Sequence, residues 1–353
     1  MEPLAALERI VYLLDRSLAP APKVRAFQRA AAVVGEVPDA ELRSLAETGR
    51  LDSLPGIGAS TGRVIAEALA GQVPRYLSRL DAESAIPLSE AGRPYREALR
   101  GDCHLHSAWS DGGASIEAMA RTAAALGHEY MVLTDHSPRL TVAHGLDRDR
   151  LLAQLADIAA LNEELAPFRI LTGIEVDILE SGDLDLDDDL LSGLDVVVAS
   201  AHSTLRLPRE DMTRRLVHAV ASPHVDILGH CTNRKLRPAE GGGGATVASD
   251  PEVARAPSTF DAEVVFAACA RFDTAVEINC RPERQDPPDD LLALAIGSGC
   301  HVAIDTDAHA PGQLEWQPFG CDKAARVGVP IERIVNAWTA DDLIGWATAH
   351  PTR

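Results

Sequence analysis

Tyr130-Met-Val-Leu-Thr-Asp-His136 is an apolar run that stops at two potential metal ligands. It is short and has no polar alternation, which is how a strand buried on both faces reads. The chain repeats the device. Asp195-Val-Val-Val-Ala-Ser-Ala-His202 stops at a histidine, and Val225-Asp-Ile-Leu-Gly-His230 does so again. Gly101-Asp-Cys-His-Leu-His106 closes on His104 and His106, with Asp111 soon after in Trp-Ser-Asp-Gly. Glu175 lies in Ile170-Leu-Thr-Gly-Ile-Glu-Val-Asp177, and His301-Val-Ala-Ile-Asp-Thr-Asp-Ala-His309 closes on Asp307 and His309. In a barrel of parallel strands, functional side chains gather where the strands end. Imidazoles and carboxylates collected there point to a metal cluster.

Between these runs the pattern is helical. Helices are expected over residues 115–126, 148–164, 210–221, 262–271 and 291–298. Strands alternating with helices predict an α/β fold with a parallel sheet or barrel. The start of the chain differs. Leu4, Leu7, Ile10, Val11 and Leu14 fall at helical spacing, and further helices are expected over residues 23–34, 41–48 and from Gly58 to about residue 69. The predicted organisation is a small all-α domain over 1–80, a linker over 81–100 and an α/β domain over 101–345. Residues 238–257 carry four consecutive glycines and no periodicity. They read as a loop overhanging the strand ends, either a lid or an insertion without a role.

Acidic residues number 53 against 33 basic ones, a net charge of −20. The first 100 residues hold 13 of each sign, so the excess belongs to the α/β domain. Such a domain repels a polyanion, although bound divalent cations reverse the sign locally. The six cysteines show no paired spacing and read as free thiols. There is no signal peptide and no run long enough to span a bilayer, so a cytoplasmic protein is expected. Asp183-Leu-Asp-Leu-Asp-Asp-Asp189 lacks the glycine and glutamate of a calcium loop and reads as a solvated turn.

His-X-His on a strand puts both imidazoles on one face, as does Asp307-X-His309. One such pair is a weak signal; the repetition across six strand-like runs carries the metal reading. His128, His144, His218, His224, His301 and His350 lie outside the pattern and read as surface or packing residues.

Several stretches together resemble a PHP domain (the polymerase and histidinol phosphatase family). They are Gly101-Asp-Cys-His-Leu-His-Ser107, Trp109-Ser-Asp-Gly112, Thr134-Asp-His-Ser137, Gly173-Ile-Glu-Val-Asp177, Ser200-Ala-His202, Ile227-Leu-Gly-His-Cys-Thr-Asn-Arg234, Glu277-Ile-Asn279 and Asp305-Thr-Asp-Ala-His309. The likeness runs over residues 101–338 and is greatest to the PHP domain of bacterial family-X DNA polymerases. It implies a distorted (β/α)7 TIM-like barrel holding up to three divalent transition metals, zinc, manganese or iron. His104, His106, Glu175 and Asp307 would hold one metal. Glu175, His202 and His230 would hold another, with Glu175 bridging, and Asp111, His136 and His309 a third. A hydroxide bridging two metals would attack phosphorus. Asp135 would orient a ligand or water, and Arg234, with Arg206, Arg281 and Arg284, would contact phosphate. Two features depart from the family pattern: Gly229-His-Cys-Thr-Asn-Arg234, where Gly-His-Pro-Thr-Gly-Arg is usual, and the glycine-rich insertion.

Leu54-Pro-Gly-Ile-Gly58 before a helix resembles a helix-hairpin-helix motif, whose glycines let backbone amides face a phosphate. Gly56, Gly58 and Arg63 are therefore candidate DNA contacts. Val64 occupies the place where related repair polymerases carry a Schiff-base lysine, so no lyase activity is expected. The polymerase palm is missing between the helical unit and the barrel. The expected function is metal-dependent phosphoester hydrolysis, on DNA as a 3′–5′ exonuclease or a 3′-end or abasic-site repair enzyme. The alternative is a small-molecule phosphomonoesterase of the histidinol-phosphatase type. A non-catalytic DNA-binding module is a third reading, opposed by the intact ligand set. Oligomeric state is left open.

Overall fold

A computed structural model describes residues 1–237 and 252–350. Most of the expected glycine-rich loop, residues 238–251, lies outside the described residues. The described chain divides into two compact units, Met1–Ile86 and the remainder from Pro87.

The first unit is helical: α1 (Pro3–Arg16), α2 (Ala21–Glu36), α3 (Asp39–Glu47), α4 (Ala59–Leu69) and α5 (Arg75–Glu83). Leu7, Ile10, Leu13 and Leu14 of α1 are fully buried with Ile65 of α4 and Ala30 of α2. Each such leucine or isoleucine contributes roughly 2 kcal/mol of burial free energy. Helix α5 was not foreseen, because only Leu77 and Leu80 face the core and two positions make no period. Gly56 has φ +94, a conformation costly for any other residue.

The second unit is built on seven parallel strands. They are β1 (Gly101–Leu105), β2 (Tyr130–Leu133), β3 (Arg169–Asp177), β4 (Val196–Ser200), β5 (Ile227–Leu228), β8 (Ala275–Asn279) and β9 (Val302–Asp305). Strands β6 (Lys235–Leu236) and β7 (Val253–Arg255) pair antiparallel as a separate ribbon. The sheet runs β1-β2-β3-β4-β5-β8-β9. It nearly closes, because His106 N donates to Ala308 O at 2.8 Å beside a Leu105–Ala308 bridge. Side chains complete the seam: Asp305 Oδ1 accepts from Cys103 N at 2.8 Å, and Asp102 Oδ1 from Thr306 N at 3.3 Å. The fold is thus the expected α/β TIM-like barrel with a helical N-terminal unit.

Period two sorts each strand. Val197 and Ala199 face the surrounding helices, while Val196 and Val198 join Val132, Leu171 and Ala303 inside. Toward the C-terminal end the inward positions turn from apolar to polar: Leu171 gives way to Glu175 and Asp177, and Ala275 to Glu277 and Asn279. Gly173 shares that inward parity; a Cβ there would come 2.7 Å from Val196 O, so only glycine lets β3 and β4 approach. Strand β1 breaks parity with a register shift between Asp102 and Leu105, so Cys103 joins the barrel interior and Leu105 the outer layer. Helices over residues 116–125, 148–165, 209–220, 262–272 and 289–297 fall where the sequence pattern places them, within about two residues.

Residues 87–100 belong to this unit, tied by Ser89 Oγ to Asp322 at 2.6 Å and by Tyr95 Oη to Val329 O at 2.8 Å. A C-terminal segment closes the other end of the barrel: Val335 and Leu343 enter the interior cluster, with Trp338 and Trp346 packed against it. All six cysteines are free and buried.

Candidate metal centre

All nine expected ligands meet at the C-terminal end of the barrel. Glu175, fully inside β3, is the hub. His136 Nδ1 lies 2.9 Å from its Oε2, His104 Nε2 3.4 Å and His106 Nε2 3.6 Å. Its Oε1 is 2.9 Å from His230 Nε2 and 3.2 Å from His202 Nε2. Asp111 Oδ1 is 3.5 Å from His136 Nε2 and 3.4 Å from His309 Nε2. Asp307 Oδ1 is 3.4 Å from His106 Nε2. Three groups have ligand atoms within 4.8 Å of one another: His106, Asp111, His136 and His309; His104, His106 and Asp307; and His136, Glu175 and His202. These cross the expected sets, since His106 sits with Asp111 and His309 as well as with His104 and Asp307.

The residues fit a metal on their own chemistry. His106 is fully buried, yet neither ring nitrogen makes a hydrogen bond, and His104 Nε2 makes none either. A buried polar atom left so costs about 1–3 kcal/mol. Six imidazoles and three carboxylates suit zinc, manganese or iron. Two ligands are also held in left-handed backbone, His230 at φ 21 and Asp307 at φ 52, where strain marks functional positions.

The charges are strongly coupled. Burial pushes the Glu175 carboxyl up, but His202, His104 and His136 overcome it and hold it well below the usual carboxylate range. Burial likewise opposes the ionised Asp307, and Arg281 and the His106 contact win. His202, which burial would lower, is raised to about 9 by Glu175 and Asp177.

Two acidic residues had no role in the sequence reading, and both contact candidate ligands. Glu277 Oε1 is 2.5 Å from His104 Nδ1, and its Oε2 accepts from His230 N at 2.5 Å. Asp177 Oδ1 accepts from His202 N at 3.0 Å and lies 3.3 Å from His202 Nδ1. Carboxylates behind ligating imidazoles fix their orientation and tautomer. The signal was present: Asp177 is two residues past Glu175, on the same face.

Asp135 faces away from the ligands. It accepts from Ser107 N at 2.8 Å, Ser107 Oγ at 2.6 Å, Gln154 Nε2 at 2.6 Å and also Ser110 Oγ. Burial raises its carboxyl, and these donors offset part of the rise. These bonds pin the loop that carries Asp111. Arg234 is not brought to the ligands: its Nε donates to Arg284 O at 3.0 Å and its Nη2 to Gln285 O. Arg206 is exposed. The arginines at the site are Arg284, with Nε 3.2 Å from Asp307 Oδ2, and Arg281, with Nη1 2.9 Å from His309 Nδ1. Arg234 therefore supports the segment that presents Arg284.

In the helical unit, Gly56 and Gly58 border a cleft of about 570 Å³ that Lys23, Arg29 and Tyr76 also line. Lys23 Nζ and Arg79 lie 5.4 and 5.2 Å from the Tyr76 ring centre. The two glycines are not equivalent. Gly58 has φ −109, and its amide donates to Thr61 Oγ1 at 2.9 Å, so that amide is already engaged. Arg63 is exposed, and Val64 is buried in the core.

Residues 102–238 match the family model described as "PHP domain". The chain is 36% identical over 259 residues to a DNA polymerase/3′-5′ exonuclease PolX of Bacillus subtilis, covering 73% of this chain and 42% of that protein. It thus spans less than half of that relative. It is 35% identical over 255 residues to a probable phosphatase of a Thermoanaerobacter species, covering 69% of this chain and 88% of the other. Among solved structures, histidinol phosphate phosphatase of Lactococcus lactis, complexed with zinc, L-histidinol and phosphate, superposes with a TM-score of 0.44. That match has 19% identity and covers 65% of this chain and 92% of the other. No helix among the described residues is long and apolar enough to cross a membrane.

Proposed function

The chain belongs to the PHP-domain family of metal-dependent phosphoesterases, and on that footing we propose that its substrate is DNA, cleaved at a 3′ end or an abasic site. The observation that carries the choice of DNA is the helical unit. Its Gly56 turn opens on a cleft bearing Lys23, Arg29 and an aromatic ring, the combination that takes a phosphate and a stacked base. A cytoplasmic location and up to three ions of zinc, manganese or iron accompany this reading.

Bound divalent metals would supply Lewis acidity toward a phosphoryl oxygen and lower the pKa of a water. His104, His106, Asp111, His136, Glu175, His202, His230, Asp307 and His309 would hold them. Glu277 and Asp177 fix the imidazoles of His104 and His202. Asp135 fixes the loop that delivers Asp111. Arg281, whose fork is held by Glu283, and Arg284 put positive charge at the edge of the ligand set, toward a bound phosphate. Among the described residues no side chain is needed as a nucleophile.

The alternative, a small phosphomonoester, is favoured by the net charge of −20. Gly56→Val separates the two. Its φ of +94 forbids a β-branched residue without strain, so the turn deforms while the barrel is untouched. Cleavage and binding of single-stranded DNA should fall together, and hydrolysis of a chromogenic phosphoester should hold. Wild-type protein that binds no DNA yet hydrolyses the small ester would establish the alternative.

A further inference from the structure

The ribbon β6–β7 begins just past His230 and puts Lys235 directly across from Arg255. Like charges opposed on neighbouring strands are destabilising. Arg255 is nevertheless fixed in place: its Nε donates to Asn233 O at 2.9 Å and its Nη2 to Asn233 Oδ1. Arg284 Nη1 donates to the same Asn233 Oδ1 at 2.9 Å. Two guanidiniums therefore converge on one amide oxygen, and the second reaches Asp307 Oδ2, a metal ligand, at 3.2 Å. Nearby acids have other partners. Glu283 pairs with Arg281 at 3.0 Å, Glu252 with Arg237 at 3.4 Å, and Asp286 accepts from Thr232 Oγ1 at 2.8 Å. Partial burial, and then the charge of Arg284, hold Lys235 and Arg255 below their ordinary values. The cations repel one another and stay together in a domain that is otherwise strongly acidic. An anion between them would relieve that repulsion, and it could accept from Arg255 Nη1 and Arg284 Nη2, which make none of these contacts.

We propose that Lys235, Arg255 and Arg284 form a second phosphate subsite, one guanidinium away from the metal ligands, for a substrate phosphate that is not the one hydrolysed. The proposal rests on the phosphoesterase reading and narrows it: the substrate carries at least two phosphates in a row, as a nucleic-acid strand end does. A simple phosphomonoester would leave the subsite unused.

Calorimetric titration of the zinc-loaded protein tests this with two probes that have no hydrolysable ester, propylphosphonate and propane-1,3-bisphosphonate. Wild type should bind the bisphosphonate at least tenfold more tightly. Lys235→Gln/Arg255→Gln should reduce that preference below threefold. Lys235→Glu alone, at an exposed position that cannot unfold the barrel, should cut it by threefold or more. Equal affinity for both probes in the wild type, or a preference that survives both variants, overturns the proposal. Failure of the phosphoesterase reading is distinguishable, because it would show as no hydrolysis of any phosphoester whatever the two affinities.

Discussion

At one end of the barrel a single carboxylate, Glu175, stands within 3.6 Å of five imidazoles. At the other end Asp226 meets one imidazole, His350, at 2.7 Å. Both ends bury histidines beside acids, so burial of ionisable groups does not by itself mark a functional site. The difference lies in the number of partners. Asp226 also accepts from Val197 N at 2.6 Å, and its imidazole partner packs 5.0 Å from Trp346, so the contacts knit chain to chain. Burial raises Asp226, and its hydrogen bond to His350 offsets part of that. At the Glu175 end, His104, His136, His202 and His230 each have a ring nitrogen without a hydrogen-bond partner, and His106 has none at either nitrogen. A crowd of lone pairs without donors is arranged for a cation, while a one-to-one pair is arranged for stability.

The largest test of this contrast removes the hub. Glu175→Gln should lower hydrolysis roughly a thousandfold, the equivalent of the several kcal/mol a metal contributes. Elemental analysis should find less metal, with the fold intact by circular dichroism. A variant that kept its metal and its turnover would erase the distinction between the two ends. The reciprocal change, His350→Ala, should cost about 3 kcal/mol of stability by leaving Asp226 buried without its partner. Thermal melting would read this as a lower Tm, while kcat in the cold stays near wild type. A loss of metal in this variant would contradict the separation.

Glu277→Gln lies between these in kind. It leaves every ligand in place and should weaken metal affinity by about 10- to 100-fold, seen in competition with a chelator. An unchanged affinity would mean that His104 holds its orientation without Glu277. The smallest signal is protonic. His202 sits at about 9 where Glu175 and Asp177 surround it, so chelator-stripped protein should carry its proton at neutral pH. A metal must displace that proton, so affinity should rise with pH and level off above about 9. Metal addition at pH 7 in weak buffer should release about one proton from this group, less in His202→Ala. Release that does not change in the variant would count against this assignment.

Most of the barrel could be read directly, and the reason is local. Tyr130–Leu133 and Val196–Ser200 are runs that only a doubly buried strand explains, and each ends near its ligand. The resemblance to PHP domains then supplied the ligand set. Helix α5 was missed because two apolar positions carry no period. The C-terminal closure was missed because Val335, Trp338 and Leu343 look like any apolar residues until the open end of a barrel is there to receive them. Arg234 was singled out for phosphate because its type and place suited it, whereas its fork grips the carbonyls of Arg284 and Gln285.

The amino-acid sequence by itself determined the parallel α/β architecture, the helical N-terminal unit and the inventory of imidazoles and carboxylates, because strand period and ligand chemistry are properties of neighbouring residues. Only the tertiary structure decided which acids stand behind His104 and His202, that Asp135 serves a loop, and that Arg281 and Arg284 reach the ligands. It also decided that Arg255 and Arg284 converge on Asn233, with Lys235 opposite Arg255. Glu277 and His104 are 173 residues apart, and Arg284 and Asn233 are 51 apart. Nothing local encodes such meetings; the first exists only once the sheet has wrapped round and brought β1 beside β9, the second only once β8 has paired with β5.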